Sequence, residues 1–218
     1  MNSQPDPPTV IEGRVVHKKS NALQITFHDG PGDPIAVGVQ GAGDGKGKKF
    51  GTLLGFKNGG TGNHRLTYGE GAVVGIASRE GAPTILTRGD GTEFATIERG
   101  PTSSAVLTDG GELFTFVADA EEAMTLELFR VCVFGPSGEQ VGRLDVIRRA
   151  AGWTLSQAAQ AAWQEYFWFE NAGRPLPVPI LGTRLSLLRP ITGIERDVLL
   201  GACVDLAIGL RPYIADMN

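Results

Sequence analysis

The chain predicts a mainly β fold whose strands enclose one apolar C-terminal helix, and three observations carry that prediction. From Val10 to Arg148, short runs rich in β-branched and aromatic residues alternate with Gly, Asp, Asn and Pro turns, the pattern of a barrel or a sandwich. From Thr192 to Tyr213 the chain reads as a helix in which Val198, Leu199, Leu200, Val204, Leu206, Ile208 and Leu210 sweep around the whole cylinder. A surface helix shows one apolar stripe, so this one must be enclosed. Finally, a Gly-x-x-apolar-small-x-aliphatic unit recurs along the strand-rich part, which suggests one local structure used several times.

Taken in order, residues 1–9 read as a disordered tail and residues 10–213 as a single domain, since 218 residues can bury a sizeable core in one unit. The clearest strands lie between Thr84 and Val117, where TILTR, TEFATIER, TSSAVLT and ELFTFV are separated by Gly-Asp-Gly, Gly-Pro and Asp-Gly-Gly. Those residues supply the positive or fixed φ that tight connections need, so the stretch is a meander of hairpins. Thr125–Phe134 and Gln140–Arg148 flank Gly-Pro-Ser-Gly-Glu and form a further hairpin. Residues 150–179 form a helical insertion, with an additional helix starting near Thr154 or Ser156 before the last strand, Ile180–Leu188. The final helix has marked ends: Thr192-x-x-Glu195 is a capping box, Asp197 suits the positive pole of the dipole, and Arg211-Pro212 closes it. From Val198 to Leu210 it spans roughly 20 Å at ~1.5 Å per residue, against about 30 Å for a bilayer core, and Asp205 interrupts it. A transmembrane span is therefore not expected.

The repeat comprises Gly47-x-x-Phe50-Gly51-x-Leu53, Gly91-x-x-Phe94-Ala95-x-Ile97 and Gly138-x-x-Val141-Gly142-x-Leu144, at spacings of 44 and 47 residues, with Gly71-x-x-Val74-Gly75-x-Ala77 as a looser copy. The leading glycine suits a turn. The second small residue marks either close approach of another backbone, which the buried helix would provide, or a bulge or bend. Repeats in the forties also suit propeller blades, but blades have no place for the C-terminal helix.

Many strands followed by one apolar helix resembles the tubby-like superfamily: the tubby C-terminal domain, phospholipid scramblases and plant LURP-one-related proteins. The residues that carry the resemblance are the units Gly91–Ile97 and Gly138–Leu144, the turn Asp109-Gly110-Gly111, and the helix Val198–Leu210 with its internal Asp205. As a divergent bacterial member, the chain would form a closed antiparallel barrel of about twelve strands around the central helix. The resemblance also implies an anionic lipid headgroup on a basic barrel face. No run matches a scramblase calcium site, so lipid scrambling is not implied.

Charge is unevenly placed. The net charge is −4, yet all six lysines (Lys18, Lys19, Lys46, Lys48, Lys49 and Lys57) precede residue 58, leaving that part at +2 and the remainder at −6. The balance argues against nucleic-acid binding and leaves a local anion site open. Gly41–Lys49 resembles a phosphate cradle, but it lacks the P-loop spacing. It reads either as a solvated hairpin loop or as an anion contact by Lys46, Lys48 and Lys49, with Lys57 beside them. Trp153, Trp163 and Trp168 cluster with Tyr166 in a segment whose one charge between Trp153 and Phe169 is Glu165, which favours packing or a protein interface over lipid.

Other groups offer less. His17, His28 and His64 have no metal-ligand spacing, and Asp29-Gly-Pro-Gly-Asp33 lacks the full oxygen series of a calcium loop, so neither metal nor cofactor is expected. Ser137 lies in a hairpin turn outside any nucleophile elbow. Cys132 and Cys203 sit among apolar neighbours and read as inert core thiols. Asp205 would be costly to bury alone and is expected to reach the barrel mouth or an arginine such as Arg184 or Arg189. The expected function is a non-enzymatic binding module that meets anionic phospholipid through Lys46, Lys48, Lys49 and Lys57. The alternative is a scaffolding domain, or homo-oligomer, using Trp163, Tyr166 and Trp168; an enzyme would need a polar pocket at a barrel mouth uniting a histidine with a carboxylate. The first ten residues lack a secretion-signal pattern, so the expected location is cytoplasmic, peripheral to a membrane.

Overall fold

A computed structural model describes residues 9–17, 23–40, 62–78, 82–98, 103–118, 128–147 and 182–209. Twelve strands precede one helix: β1 (Thr9–His17), β2 (Leu23–His28), β3 (Ala36–Gln40), β4 (Gly62–Tyr68), β5 (Val73–Ser78), β6 (Thr84–Arg88), β7 (Glu93–Glu98), β8 (Ser103–Leu107), β9 (Glu112–Ala118), β10 (Leu128–Phe134), β11 (Gln140–Ile147), β12 (Gly182–Leu187) and α1 (Gly193–Gly209). Each strand pairs antiparallel with its neighbours in sequence, and β12 returns to β1, so the sheet closes. Closure leaves no unpaired edge, which is the physical advantage of the plan. The mainly β class, the twelve-strand closed barrel and the C-terminal helix are as the sequence predicts.

Alternation along the strands builds the inside. On β5 the burial pattern is half-buried then buried in strict turn, so Val74, Ile76 and Ser78 face inward while Val73, Gly75 and Ala77 face out. The cavity such a wall would enclose is filled by α1. The helix contacts opposite sides of the ring: Val204 reaches the backbone of Gly38 on β3, Gly201 abuts Leu86 on β6, and Cys203 faces Thr183 on β12. Val198, Leu199, Leu200, Ala202, Cys203, Val204 and Ala207 are all buried to 2 % exposure or less, on every side of the cylinder. Each of Leu199 and Leu200 contributes roughly 2 kcal/mol through that burial.

The helix entry is the capping box read from the sequence. Glu195 N–H donates to Thr192 Oγ1 (3.3 Å), and Thr192 N–H donates to Glu195 Oε2 (2.7 Å). Arg189 adds a two-pronged contact to the Glu195 carboxylate, 2.6 Å and 3.4 Å.

The described copies of the internal repeat each open on a hairpin turn that the Asp109-Gly110-Gly111 turn shares: in these four turns a glycine in the left-handed region, Gly71, Gly91, Gly110 or Gly138 (φ between 81° and 88°), donates its N–H to the carbonyl three residues back. The residue at that carbonyl, Tyr68, Arg88, Leu107 or Gly135, donates its own N–H across to Ala72, Thr92, Gly111 or Glu139. This is a tight turn closed by a glycine bulge. Register shifts follow at once, so that Phe94, Leu113 and Val141 are the extra residues of β-bulges. Of the two readings of the small residue, close approach of another backbone holds at Gly142, where the neighbour is β12 and not the helix, while the bulges fall on the residue before the small one and the Gly71 copy has none. A Cβ on Gly75 would strike Thr87 on β6, and one on Gly142 would strike the Ser186 carbonyl on β12; neither glycine meets the helix. The helix is approached instead at Gly38 and by way of its own Gly201. The Gly47 unit and the helical insertion at 150–179 lie outside the described residues.

Across the outer face of the wall runs a row of alternating charge. Register neighbours Arg130, Asp145, Arg184 and Glu12 stand side by side on β10, β11, β12 and β1. Arg130 Nε lies 2.9 Å from Asp145, and Arg184 Nη2 lies 3.0 Å from Glu12. Opposite charges directly across a ladder help fix strand register where the barrel closes.

Candidate functional site

An up-and-down barrel sends alternate connections to opposite ends, and here the two ends differ in kind. One mouth holds the four glycine turns, the Asp29–Ile35 segment and the entry to α1. The other receives the connections β1–β2, β3–β4, β5–β6, β7–β8, β9–β10 and β11–β12, together with the C-terminal end of α1. All six lysines belong to two adjacent connections of that second mouth: Lys18 and Lys19 between β1 and β2, and Lys46, Lys48, Lys49 and Lys57 between β3 and β4. Residues 41–61 join strands that pair as Gln40 with His64, where a few residues suffice to turn. Six strands away around the ring of twelve, the β9–β10 connection carries Asp119, Glu121, Glu122 and Glu127. The connections of this mouth are thus basic from one side of the ring and acidic from the other.

Just inside the same mouth lies a polar layer. The outermost described inward residues of β4, β5 and β6 are His64, Ser78 and Thr84, exposed by 4 %, 3 % and 0 %, while the next inward residues are Leu66, Ile76 and Leu86. Asp205 meets that layer from the helix. Ser78 Oγ donates to Asp205 Oδ1 at 2.6 Å, and Thr84 Oγ1 donates to the same oxygen at 2.9 Å. This corrects the expected arginine partner: Arg184 pairs with Glu12 outside the barrel, and Arg189 pairs with Glu195 at the opposite mouth. Two hydroxyl donors compensate a carboxylate whose burial without them would be prohibitive. Sequence reasoning missed Ser78 and Thr84. Their signal was a polar residue at an inward position of the alternation, legible only once the inward face of β5 and β6 is known.

A histidine, a serine and an aspartate near one mouth invite comparison with a hydrolase. The serine hydroxyl here bonds directly to the carboxylate, whereas a nucleophile needs its base at the hydroxyl and access to substrate. With Ser78 only 3 % exposed, the cluster acts as an internal fastening of helix to wall. Cys203 is inert as expected: complete burial pushes its thiol up to about 12. Cys132 is corrected, since it lies half-buried on the outer face of β10 rather than in the core.

The opposite mouth is fastened by a second polar set. Arg196 lies 4.3 Å over the Tyr68 ring and 3.4 Å from Glu70, while burial and the neighbouring Asp197 push the Tyr68 phenol upward. Around the cap, hydrogen bonding from Arg189 and Thr192 holds the Glu195 carboxyl below its usual range despite partial burial, and the same pair raises Arg189.

The remaining sequence candidates divide plainly. Lys46, Lys48, Lys49 and Lys57, and the aromatic set Trp163, Tyr166 and Trp168, lie outside the described residues; what is known of them is the mouth to which their connections are tethered. Asp29 and Asp33 are exposed in the β2–β3 connection, and Ser137 lies in the Gly135–Glu139 turn, bonded to Glu139. No cluster of three metal-ligating side chains occurs among the described residues, nor any helix long and apolar enough to cross a membrane. No family model, curated protein or solved structure matches the chain.

Proposed function

We propose that this barrel is a non-enzymatic binding module that meets an anionic surface, such as acidic phospholipid headgroups, with the lysine side of one mouth. One observation carries the reading: the interior is filled by α1, while every lysine belongs to two adjacent connections of a single mouth. A filled barrel has no room for a ligand inside, so recognition falls to the outside and the rims. Lys46, Lys48, Lys49 and Lys57 supply point charges suited to phosphate, and Asp44 alone opposes them within their connection, which leaves it net positive. The kinship with tubby-like proteins proposed on sequence grounds agrees with this, and a cytoplasmic location peripheral to a membrane is proposed with it.

Co-sedimentation with vesicles of neutral phosphatidylcholine, and of the same lipid with phosphatidylserine or a phosphoinositide, tests the proposal. Binding only to the acidic vesicles, falling steeply with salt and lost in a Lys46→Ala/Lys48→Ala/Lys49→Ala variant that keeps its melting temperature, is the expected result. Equal binding to all vesicles, or an unaffected triple variant, overturns it. A second reading uses the connection between β11 and β12, which is tethered at the same mouth and carries Trp163, Tyr166 and Trp168 in its sequence: a protein partner or second copy would then be lost on Trp163→Ala and Trp168→Ala.

A further inference from the structure

We infer that Asp205 is a key that fixes the depth and rotation of the internal helix, selecting one position among several that its apolar surface would accept. The starting point is a mismatch between bulk and specificity. Both the helix and the wall are apolar all round, and apolar contact rewards any snug arrangement in similar measure. What discriminates is a single helix face. Gly201 and Asp205 are four residues apart and so stack on that face. They meet β6 in matching order, Gly201 against Leu86 and Asp205 against Thr84, with Ser78 of β5 completing the second contact.

The match is directional. Sliding the helix inward by one turn, about 5.4 Å, would bring the carboxylate opposite Leu86 and into the layer of Leu66, Ile76 and Leu86, where described inward residues offer it no hydroxyl. Sliding outward would withdraw it from Ser78 and Thr84 and carry Gly201 away from Leu86, which leaves room there for no side chain larger than hydrogen, since a Cβ at residue 201 would lie 3.0 Å from Leu86 Cδ2. The carboxylate is also badly placed for stability as such. It approaches the negative pole of the helix dipole, and the last described turn contains no basic residue to offset it. A buried carboxylate tied to hydroxyls on two neighbouring strands is suited to registry, the best attested use of buried polar groups.

Cross-linking reads the position directly, because Cys203 on the helix faces Thr183 on β12. In a Cys132→Ser background, Thr183→Cys, cycled through unfolding and refolding in a glutathione buffer because both positions are buried in the folded barrel, is expected to form one internal disulfide at a rate set by how closely refolding brings the pair together. Adding the apolar set Ser78→Ala, Thr84→Val and Asp205→Leu should leave far-UV circular dichroism and cooperative unfolding intact while lowering the cross-linking rate at least ~10-fold. Asp205→Asn, which keeps a polar group for the two hydroxyls, should restore most of the rate. An apolar variant that cross-links as fast as the parent overturns the inference, as does failure of Asp205→Asn to exceed Asp205→Leu. Should the apolar set abolish cooperative unfolding, Thr84→Val alone decides: a slower cross-link supports the key, and a rate equal to the parent refutes it.

Discussion

The two mouths of the barrel use the same strands to opposite ends. At one, the chain turns back within a few residues four times, each turn pinned by a glycine at positive φ, and the helix enters through a capped and ion-paired collar. At the other, three of the six connections are longer than any turn of the first mouth, the connections that carry the lysines are tethered on one side and the most acidic one on the other, and the helix is fastened through a carboxylate. The difference teaches where constraint and freedom are placed. Glycine turns and caps fix a shape regardless of what is bound, while residues that a tight turn has no need of are free to carry charge.

Substitutions should separate the two ends, and the largest effect is expected at the internal fastening. Removing both donors, Ser78→Ala with Thr84→Val, leaves the buried Asp205 carboxylate without the two hydroxyls and should cost roughly 3 kcal/mol. The check is a lower urea midpoint at unchanged slope. A loss under about 1 kcal/mol would mean that the carboxylate is cheaply resolvated and the contrast between mouths is overstated.

Next come the turn glycines. Gly71→Ala, Gly91→Ala, Gly110→Ala and Gly138→Ala each force a Cβ into the left-handed region, though nothing crowds that Cβ in space. Each should cost about 1–2 kcal/mol. Four similar losses in thermal unfolding would confirm that the repeat units at Gly71, Gly91 and Gly138 share one turn with Gly110; one neutral member would remove it from the set.

The helix collar should be weaker and depend on pH. Thr192→Ala is expected to cost about 1 kcal/mol. Glu195 is held below its ordinary value first by Arg189, so its contribution is fully present above the unfolded carboxylate range and fades as pH falls through the depressed folded value. Relative to Glu195→Gln, the parent should therefore lose its advantage only below about pH 4. An advantage that declines between pH 6 and 8 instead would show that another group is responsible.

Smallest of all are changes on the outer wall. Arg184→Ala breaks an ion pair with Glu12 in which both side chains are more than 40 % exposed, and the expected loss is at most about 0.5 kcal/mol. If the lysine mouth meets anionic vesicles, Glu121→Gln with Glu122→Gln should leave stability alone and strengthen that binding severalfold at low salt. Weakened binding would argue against the basic side as the contact.

Much of this architecture was legible in the residues themselves. Alternation and turn chemistry are local, so the strands from Thr84 to Val117, the hairpin around Ser137 and the capping box at Thr192 could be read directly. The enclosed helix was legible because a cylinder apolar on all sides has one fate in water. What the sequence left ambiguous were relations between distant positions. Whether Gly75 and Gly142 faced the helix or a neighbouring strand, which group would satisfy Asp205, and on which side of the wall Cys132 stood all depend on register and on the inward face of each strand.

The sequence by itself determined that strands would alternate with glycine turns and that an apolar helix would seek cover, because propensity, alternation and hydrophobicity act over a few residues. Only the closed barrel decided that Ser78 and Thr84 would meet Asp205, across separations of 127 and 121 residues, and that both lysine-bearing connections would start and end at one mouth. Closure fixes the parity of each strand and the end to which each connection returns, and no local property of the chain contains that information.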